Sequence, residues 1–342
     1  MKKLLAIAAI AAMSVTAQAQ QVSVYGVVDT SVQSYKNGSE RLTRMADSQY
    51  STSRFGLRGT EDLGGGLNAF FQLEGALNVA GGSVGSTSTV VANEIFNRDA
   101  YVGIGSNSFG SVRLGRTDVA LVGEMDIFVT QAGNFGMHPV NGTTVELGTD
   151  QKNVIRYDSP VIKGFQVVAG RATNNVGATT DANTTQNGVA IRYQNGPIKA
   201  GLGYQKNDGA GFAKKDTTTA GVAYDFNVAS VGVAYARGDN STTADVTSSS
   251  TVASVRVPLS ASYAAHAVYA QTENGASASN NKGHGYTLAL TNALSKRTTL
   301  YAAYSKVNNQ ANSSMAMFNA TSAPTAAGVD TQSFGLGINH SF

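Results

Sequence analysis

The sequence predicts an all-β protein, a transmembrane antiparallel up-and-down β-barrel of about sixteen strands. Three observations lead to this prediction. Apolar and polar residues alternate with a period of two almost throughout residues 21–342. Short turns rich in Gly, Asn, Asp and Ser alternate with long polar connections. The polar face of the strands is small and glycine-rich, and the apolar face often ends in an aromatic residue.

The first 19 residues have the pattern of a secretory signal peptide. Two lysines precede the apolar run Leu4–Met13, and the sequence AQA at 17–19 places small residues where a signal peptidase reads them. We therefore expect a leader at 1–19, cleaved after Ala19, and an outer-membrane barrel domain at 20–342.

Composition narrows the function classes. Without the two leader lysines, the 25 Lys and Arg of the chain fall to 23, against 22 Asp and Glu. This near-neutral balance lacks the basic excess of a nucleic-acid-binding protein, so no nucleic-acid partner is expected. The chain has no cysteine, which excludes disulfides and thiolate metal sites. We expect neither a cofactor nor a metal.

Sixteen segments have the alternation of strands. In the first, Val22, Val24 and Val32 share one face, while Ser23 and Gln33 share the other. The predicted strands span 22–33, 51–60, 66–79, 94–105, 109–116, 152–158, 164–172, 187–195, 197–206, 217–226, 228–238, 251–258, 262–273, 284–291, 297–308 and 331–342.

A soluble, secreted β-sandwich or β-solenoid would also alternate apolar and polar positions. The small polar face, the alternation of long and short loops and the terminal aromatics favour a membrane barrel instead. In a bilayer every backbone N–H and C=O group must be paired without water, so a sheet can span only by closing on itself.

The stretch TSRFGLRGTEDLGGGL at 52–67 illustrates the two faces. Alternation places Phe55 and Leu57 towards lipid, and Arg54 and Arg58 towards the lumen. The triple glycine predicts a short periplasmic turn. We expect Gly56 to leave room for the flanking arginines to project into the pore.

Several blocks resemble the β-proteobacterial and neisserial general porins, over essentially the whole mature chain. The resemblance implies a trimer of sixteen-stranded barrels in the Gram-negative outer membrane, with the third extracellular loop folded into each lumen. The blocks are VSVYGVVDTSV (22–32), SRFGLRGTEDLGGGLNAFFQLE (53–74), NRDAYVGI (97–104), FGSVRLGR (109–116), NVIRYDSP (153–160), LSKRTTLYAAYS (294–305) and GLGINHSF (335–342).

Residues 117–150 fit that constriction loop by length and position, because they form the longest stretch without alternation. The loop offers the acids Asp118, Glu124 and Asp126. Across the lumen, alternation places Arg156 on the same wall as the two arginines of 52–67.

Three further arginines are candidates for the constriction. Arg113 faces inward by alternation. Arg98 shares the parity of lipid-facing neighbours, where a midplane charge costs about 2–4 kcal/mol. The resemblance nevertheless places it in the pore, which requires a bulge or an early end of the strand. Arg116 has the same parity but lies where the strand meets the loop, so it has room to turn inward.

Near the block NVIRYDSP the chain departs from many relatives, since Asp150 and Lys152 flank the site of an expected basic residue.

A lumen with arginines on one wall and carboxylates on the opposing loop creates a transverse field that favours anions. We therefore expect a channel for passive diffusion of small hydrophilic solutes and ions, with a mild anion preference. The alternative is a channel specific for a solute such as a sugar, a phosphate or an organic anion. For each single arginine, the alternative to a role in the filter is an ion pair that only stiffens the wall against the folded loop. No catalytic motif surrounds any of the four histidines, so no enzyme activity is expected.

The C-terminal residue is aromatic. Phe342 ends a strand with apolar residues at alternate positions, which resembles the signal read by the outer-membrane assembly machinery. The same residues also suit a last lipid-facing strand. The expected partners are two further copies of the chain, the assembly machinery, membrane lipid and lipopolysaccharide.

Overall fold

The computed structural model describes residues 21–84, 94–120, 151–173, 185–208, 215–239, 247–274, 281–315, 317 and 324–342. Among these residues, no helix is long and apolar enough to cross a membrane. The predicted leader 1–19 lies outside the described residues, as do residues 121–150 of the predicted constriction loop.

Eighteen strands make up one antiparallel sheet over the described part of the chain. They are β1 (Gln21–Asn37), β2 (Glu40–Asp47), β3 (Arg54–Gly64), β4 (Leu67–Asn78), β5 (Ser83–Val84), β6 (Ala100–Ser106), β7 (Gly110–Thr117), β8 (Gln151–Asp158), β9 (Phe165–Thr173), β10 (Thr185–Asn195), β11 (Ile198–Asp208), β12 (Lys215–Asp225), β13 (Ser230–Asp239), β14 (Thr247–Pro258), β15 (Tyr263–Asn274), β16 (Asn281–Ala293), β17 (Thr298–Asn309) and β18 (Thr331–Ser341).

The sheet closes into a barrel. The last strand, β18, pairs with the first, and the backbones of Gly26 and Phe342 exchange hydrogen bonds of 3.2 and 3.1 Å at the end of that pairing. β2 and β3 both pair with β1 and together act as one barrel strand, and β5 is a two-residue pairing beside β4. Sixteen barrel strands remain, which confirms the predicted fold class.

A break separates β2 from β3, and the sequence pattern did not reveal the β2 half. Residues 48–53 leave the sheet there, and the buried carboxylate of Asp29 holds them, accepting the Gln49 N–H at 2.8 Å. It also accepts the Tyr301 hydroxyl at 2.9 Å and the Asn339 amide at 3.0 Å. The polar break therefore docks on three strands of the inner wall.

The two faces of the wall follow the predicted alternation. On β1, Val22 and Val24 are 53% and 67% exposed, whereas the lumen-facing Asp29 and Ser31 are buried. The exposed apolar side chains form the outer face that meets lipid. Aromatic pairs lie at the short-turn end of this face, as expected for an interfacial girdle: Phe165 with Tyr193 and Tyr224 with Phe226.

Candidate pore site

The carboxylate of Glu74, on the inner face of β4, gathers two of the predicted arginines. Its Oε2 lies 3.7 Å from Nε of Arg54 and accepts the Tyr25 hydroxyl at 2.8 Å. Its Oε1 accepts Nε of Arg98. Glu74 is buried, while both guanidinium groups are partly exposed. Two guanidinium groups thus share one carboxylate on the lumen wall.

A bulge-like irregularity explains how Arg98 turns inward. The Glu74 N–H donates to the Asp99 carbonyl at 2.6 Å, and the Glu74 carbonyl accepts the Arg98 N–H at 3.1 Å. Glu74 therefore lies opposite two residues, the arrangement of a β-bulge. Regular pairing with β4 resumes at Ala100. Because the alternation is reset before β6, the parity that pointed Arg98 at lipid does not apply.

A second cluster surrounds Asp158 at the end of β8. Its carboxylate accepts both Nε and Nη2 of Arg156, at 3.0 and 2.8 Å, in a bidentate pair. Nη2 of Arg113, on the neighbouring strand, donates to the same carboxylate at 3.0 Å. Nη1 of Arg156 pairs with Asp118, the first acid of the predicted loop. Two guanidinium groups and two carboxylates balance here, and Arg156 is buried.

The start of the predicted loop turns into the lumen. Val119 is fully buried, and its backbone lies over Gly170 and Gly188 on the inner faces of β9 and β10. A Cβ at either glycine would lie within 2.6 Å of the Val119 carbonyl oxygen. These glycines therefore make the space in which the chain leaves the wall. Glu124 and Asp126 lie outside the described residues.

Arg116 belongs to a third, separate cluster. Its Nε donates to the Asn97 carbonyl at 2.9 Å, and its Nη1 lies 3.4 Å from Glu94. Lys152 also pairs with Glu94, and this hydrogen bond holds the pKa of the Glu94 carboxyl below its usual value. The register shifts between Gly115 and Thr117, next to Arg116. The structure thus joins Arg116 to neither Glu74 nor Asp158.

Arg58 differs from the other five predicted arginines. Its guanidinium lies over the Tyr25 ring, 4.9 Å from the centroid, and no ion pair is found for it within the described part of the chain. The Tyr25 ring also corrects the expectation for Gly56. A Cβ at Gly56 would lie 2.5 Å from that ring, so the glycine makes room for Tyr25, which in turn supports Arg58.

A second connection enters the lumen, and the sequence pattern did not predict it. Between β17 and β18, the buried Met315 lies against the inward-facing Gly283, and the buried Met317 accepts the Ser333 hydroxyl at 3.1 Å. No alternation marks this connection, and its polar composition resembles that of the other long loops. This connection therefore also occupies the lumen beside β16 and β18.

The residues that organise the arginines were also not predicted as site residues. Glu74 and Asp158 share the inward parity of the arginines that they bind, so alternation was the signal that pointed to them. Alternation does not reveal Glu94, because it precedes β6 on an irregular segment.

Phe342 lies at the barrel seam with its ring over Gly26, and half of its surface is exposed.

A closed sixteen-stranded barrel with charged side chains on an inward-facing wall defines a channel of the porin class. Residues 6–312 match the Gram-negative porin family. The chain belongs to this family: it is an outer-membrane channel for passive diffusion, as the sequence predicted.

Similar proteins support this assignment. The chain is 31% identical to outer membrane porin protein 32 of Delftia acidovorans, over 100% of this chain and 99% of that one. It is 32% identical to an outer membrane porin protein of Bordetella pertussis, over 69% of each chain. The solved anion-selective porin from Comamonas acidovorans superposes with a TM-score of 0.78 at 27% identity, covering 94% of this chain and 100% of that one.

Proposed function

We propose that this porin prefers anions mildly, and that the lumen arginines set the preference. The observation that supports this is the excess of cations in the clusters above. Two arginines share Glu74, Arg116 and Lys152 share Glu94, and Arg58 pairs with no carboxylate in the described residues. A similar solved structure is named an anion-selective porin. Low-dielectric walls focus the resulting positive potential onto passing solutes.

The constriction is proposed to lie between this wall and residues 117–150. Asp118 supports the proposal, because it already meets Arg156 across the base of the loop, and so does the inward course of 119–120 over the inner wall. Glu124 and Asp126 remain proposed members of the acidic side. A solute with a dipole would be oriented by the field between the two sides.

Reconstitution tests the proposal. The purified protein, inserted into a planar bilayer under a KCl gradient, should give a zero-current potential with the sign of the chloride equilibrium potential. A potential of the opposite sign would refute the anion preference. Because salt screens charges over about 8 Å at 0.15 M, the measurement is made at low ionic strength. Liposome swelling with neutral sugars tests the alternative, a solute-specific channel, which would pass one solute far faster than others of equal size.

The remaining expectations are part of the same proposal. Residues 1–19 serve as a cleaved leader, and the porin works as a homotrimer without enzyme activity, cofactor or metal. A structural neighbour with 15% identity was solved as the trimer form of a Vibrio cholerae outer membrane protein. Phe342 acts as an assembly signal, and lipopolysaccharide surrounds the outer face. The exposed row Phe334, Ile338 and Phe342 on β18 and at its end supports both contacts.

A further inference from the structure

A cavity of about 650 Å³ opens on the inner wall towards the short-turn end of the barrel. This volume lies within the range of about 300–1,000 Å³ that small-molecule sites occupy. The cavity lies four residues along β3 from Arg54, on the short-turn side of the Glu74 cluster. The side chains used below are Arg58, Thr60, Asp62, Phe70, Gln72 and Tyr101, all of which line it.

Arg58 is the anion-binding group of this cavity. Its side chain is exposed and lies over the Tyr25 ring, so its orientation is supported without a carboxylate partner in the described residues. A guanidinium in this state offers its planar fork of donors to an incoming carboxylate. In contrast, the guanidinium of Arg156 is buried and already bidentate with Asp158.

Aromatic rings form an adjoining wall. Phe70 and Tyr101 meet edge to face, with centroids 6.2 Å apart at 81°. The ring of Phe70 also covers Gly103, where a Cβ would lie 2.4 Å from it. Arg113 lies over the Tyr101 ring at 4.8 Å. These contacts hold both rings in place, so their free edges and faces present a preformed apolar surface inside a polar lumen.

The cavity is polarised along its length. Asp62 lies at its short-turn end, with Oδ1 accepting the Gly64 N–H at 2.8 Å. Four residues of strand separate it from Arg58, roughly 13 Å at the strand rise of about 3.3 Å per residue. A carboxylate is therefore attracted at the Arg58 end and repelled at the Asp62 end. Thr60 supplies a neutral polar group between the two, and Gln72 lies opposite Arg58 in the register of β3 and β4.

We propose that this cavity binds small aromatic carboxylates, with the carboxylate on Arg58 and the ring against Phe70 and Tyr101. The proposal rests on the proposed anion preference and extends it, because it names the class of organic anion that the lumen holds for longer than a simple ion. Aliphatic carboxylates of the same charge gain only the Arg58 contact. Neutral aromatics gain only the ring contact.

Saturation-transfer NMR on the detergent-solubilised protein tests binding without any channel measurement. Benzoate should give a stronger effect and a lower apparent Kd than acetate or benzyl alcohol. Arg58→Gln should raise the apparent Kd for benzoate about tenfold, equivalent to about 1.4 kcal/mol. The matched control is Arg297→Gln, which removes the same charge from an exposed short turn on the same side of the barrel.

A second pair of variants tests the ring wall. Phe70→Leu should weaken benzoate binding several-fold while leaving acetate unchanged. Phe226→Leu makes the same change at an exposed ring on the outer face, at the short-turn end and outside the cavity, and should leave benzoate binding unchanged. Current recordings with benzoate on the short-turn side should show block in the wild type and relief in Arg58→Gln.

The outcomes separate the two proposals. Equal binding of acetate and benzoate, or an unchanged benzoate Kd in Arg58→Gln, would overturn the aromatic-carboxylate site even in an anion-selective channel. Specific benzoate binding in a channel that proves cation-selective would support the site and refute the anion preference.

Discussion

At the residue scale, the lumen wall is organised by carboxylates that each hold two cations. Glu74 holds Arg54 and Arg98, and Asp158 holds Arg113 and Arg156. An arginine beside a carboxylate keeps its charge while its orientation is fixed by charge-assisted hydrogen bonds. The ion-pair role and the filter role are therefore compatible at Glu74, where one carboxylate cannot neutralise two guanidinium groups, whereas Asp118 completes the balance of charge at Asp158.

Replacing Glu74 separates the two roles. Glu74→Gln removes one negative charge and leaves Arg54 and Arg98 in the lumen, so anion preference should increase. Two unit charges about 4 Å apart in water interact with about 1 kcal/mol. We therefore expect the chloride-to-potassium permeability ratio to rise by up to about fivefold. Zero-current potentials at low salt measure it.

The matched control is Glu40→Gln, the same change at the exposed hairpin between β1 and β2. It should leave the ratio unchanged. A Glu74→Gln channel that folds normally but shifts towards cations would show that the excess charge of this cluster does not act on the permeating ions.

At the scale of strands, the break between β2 and β3 is the element that most departs from a regular barrel. Asp29 of β1 holds it, with a carboxylate that accepts hydrogen bonds from the segment itself, from β17 and from β18. A buried carboxylate with this many donors is satisfied only when the break is docked. We therefore regard Asp29 as the anchor that fixes the seam of the barrel.

Asp29→Asn should weaken this anchor. The amide that replaces one oxygen faces donors, and losing hydrogen bonds to a charged group costs about 1.5–3 kcal/mol. The temperature at which the folded band converts to the heat-denatured band on a gel should fall. Asp225→Asn is the control, because Asp225 accepts one backbone N–H in an exposed turn. Equal melting of the two variants would contradict the anchoring role.

The alternation of apolar and polar residues predicted most of the barrel wall but less of the site. Successive residues of a strand face lipid and water in turn, so the inward direction of Arg54, Arg58 and Arg156 on β3 and β8 follows from their odd or even position in the strand. Parity fails at the bulge that turns Arg98 inward and at the register shift beside Arg116. It also fails for inward-folded connections, whose contacts depend on the assembled barrel.

At the scale of the whole molecule, net charge does not explain selectivity. The expected mature chain has nearly equal numbers of basic and acidic residues. The lumen instead carries a local group of charges, with guanidinium groups on the inner faces of β3, β7 and β8 and in the segment before β6, beside the carboxylates that bind them. Any anion preference must therefore arise from the local potential of this wall, which acts over the Debye length of about 8–10 Å at physiological salt.

Whether the arginine wall selects ions is decided by the zero-current potential of the double variant Arg54→Ser/Arg58→Ser at low salt. Neither side chain faces lipid, so the barrel should still assemble and show heat-dependent mobility. Relative to the wild type, the zero-current potential should shift towards the potassium equilibrium potential. The zero-current potential of the Arg297→Gln channel should not shift. A double variant that folds and keeps the wild-type potential would show that this wall is not the filter.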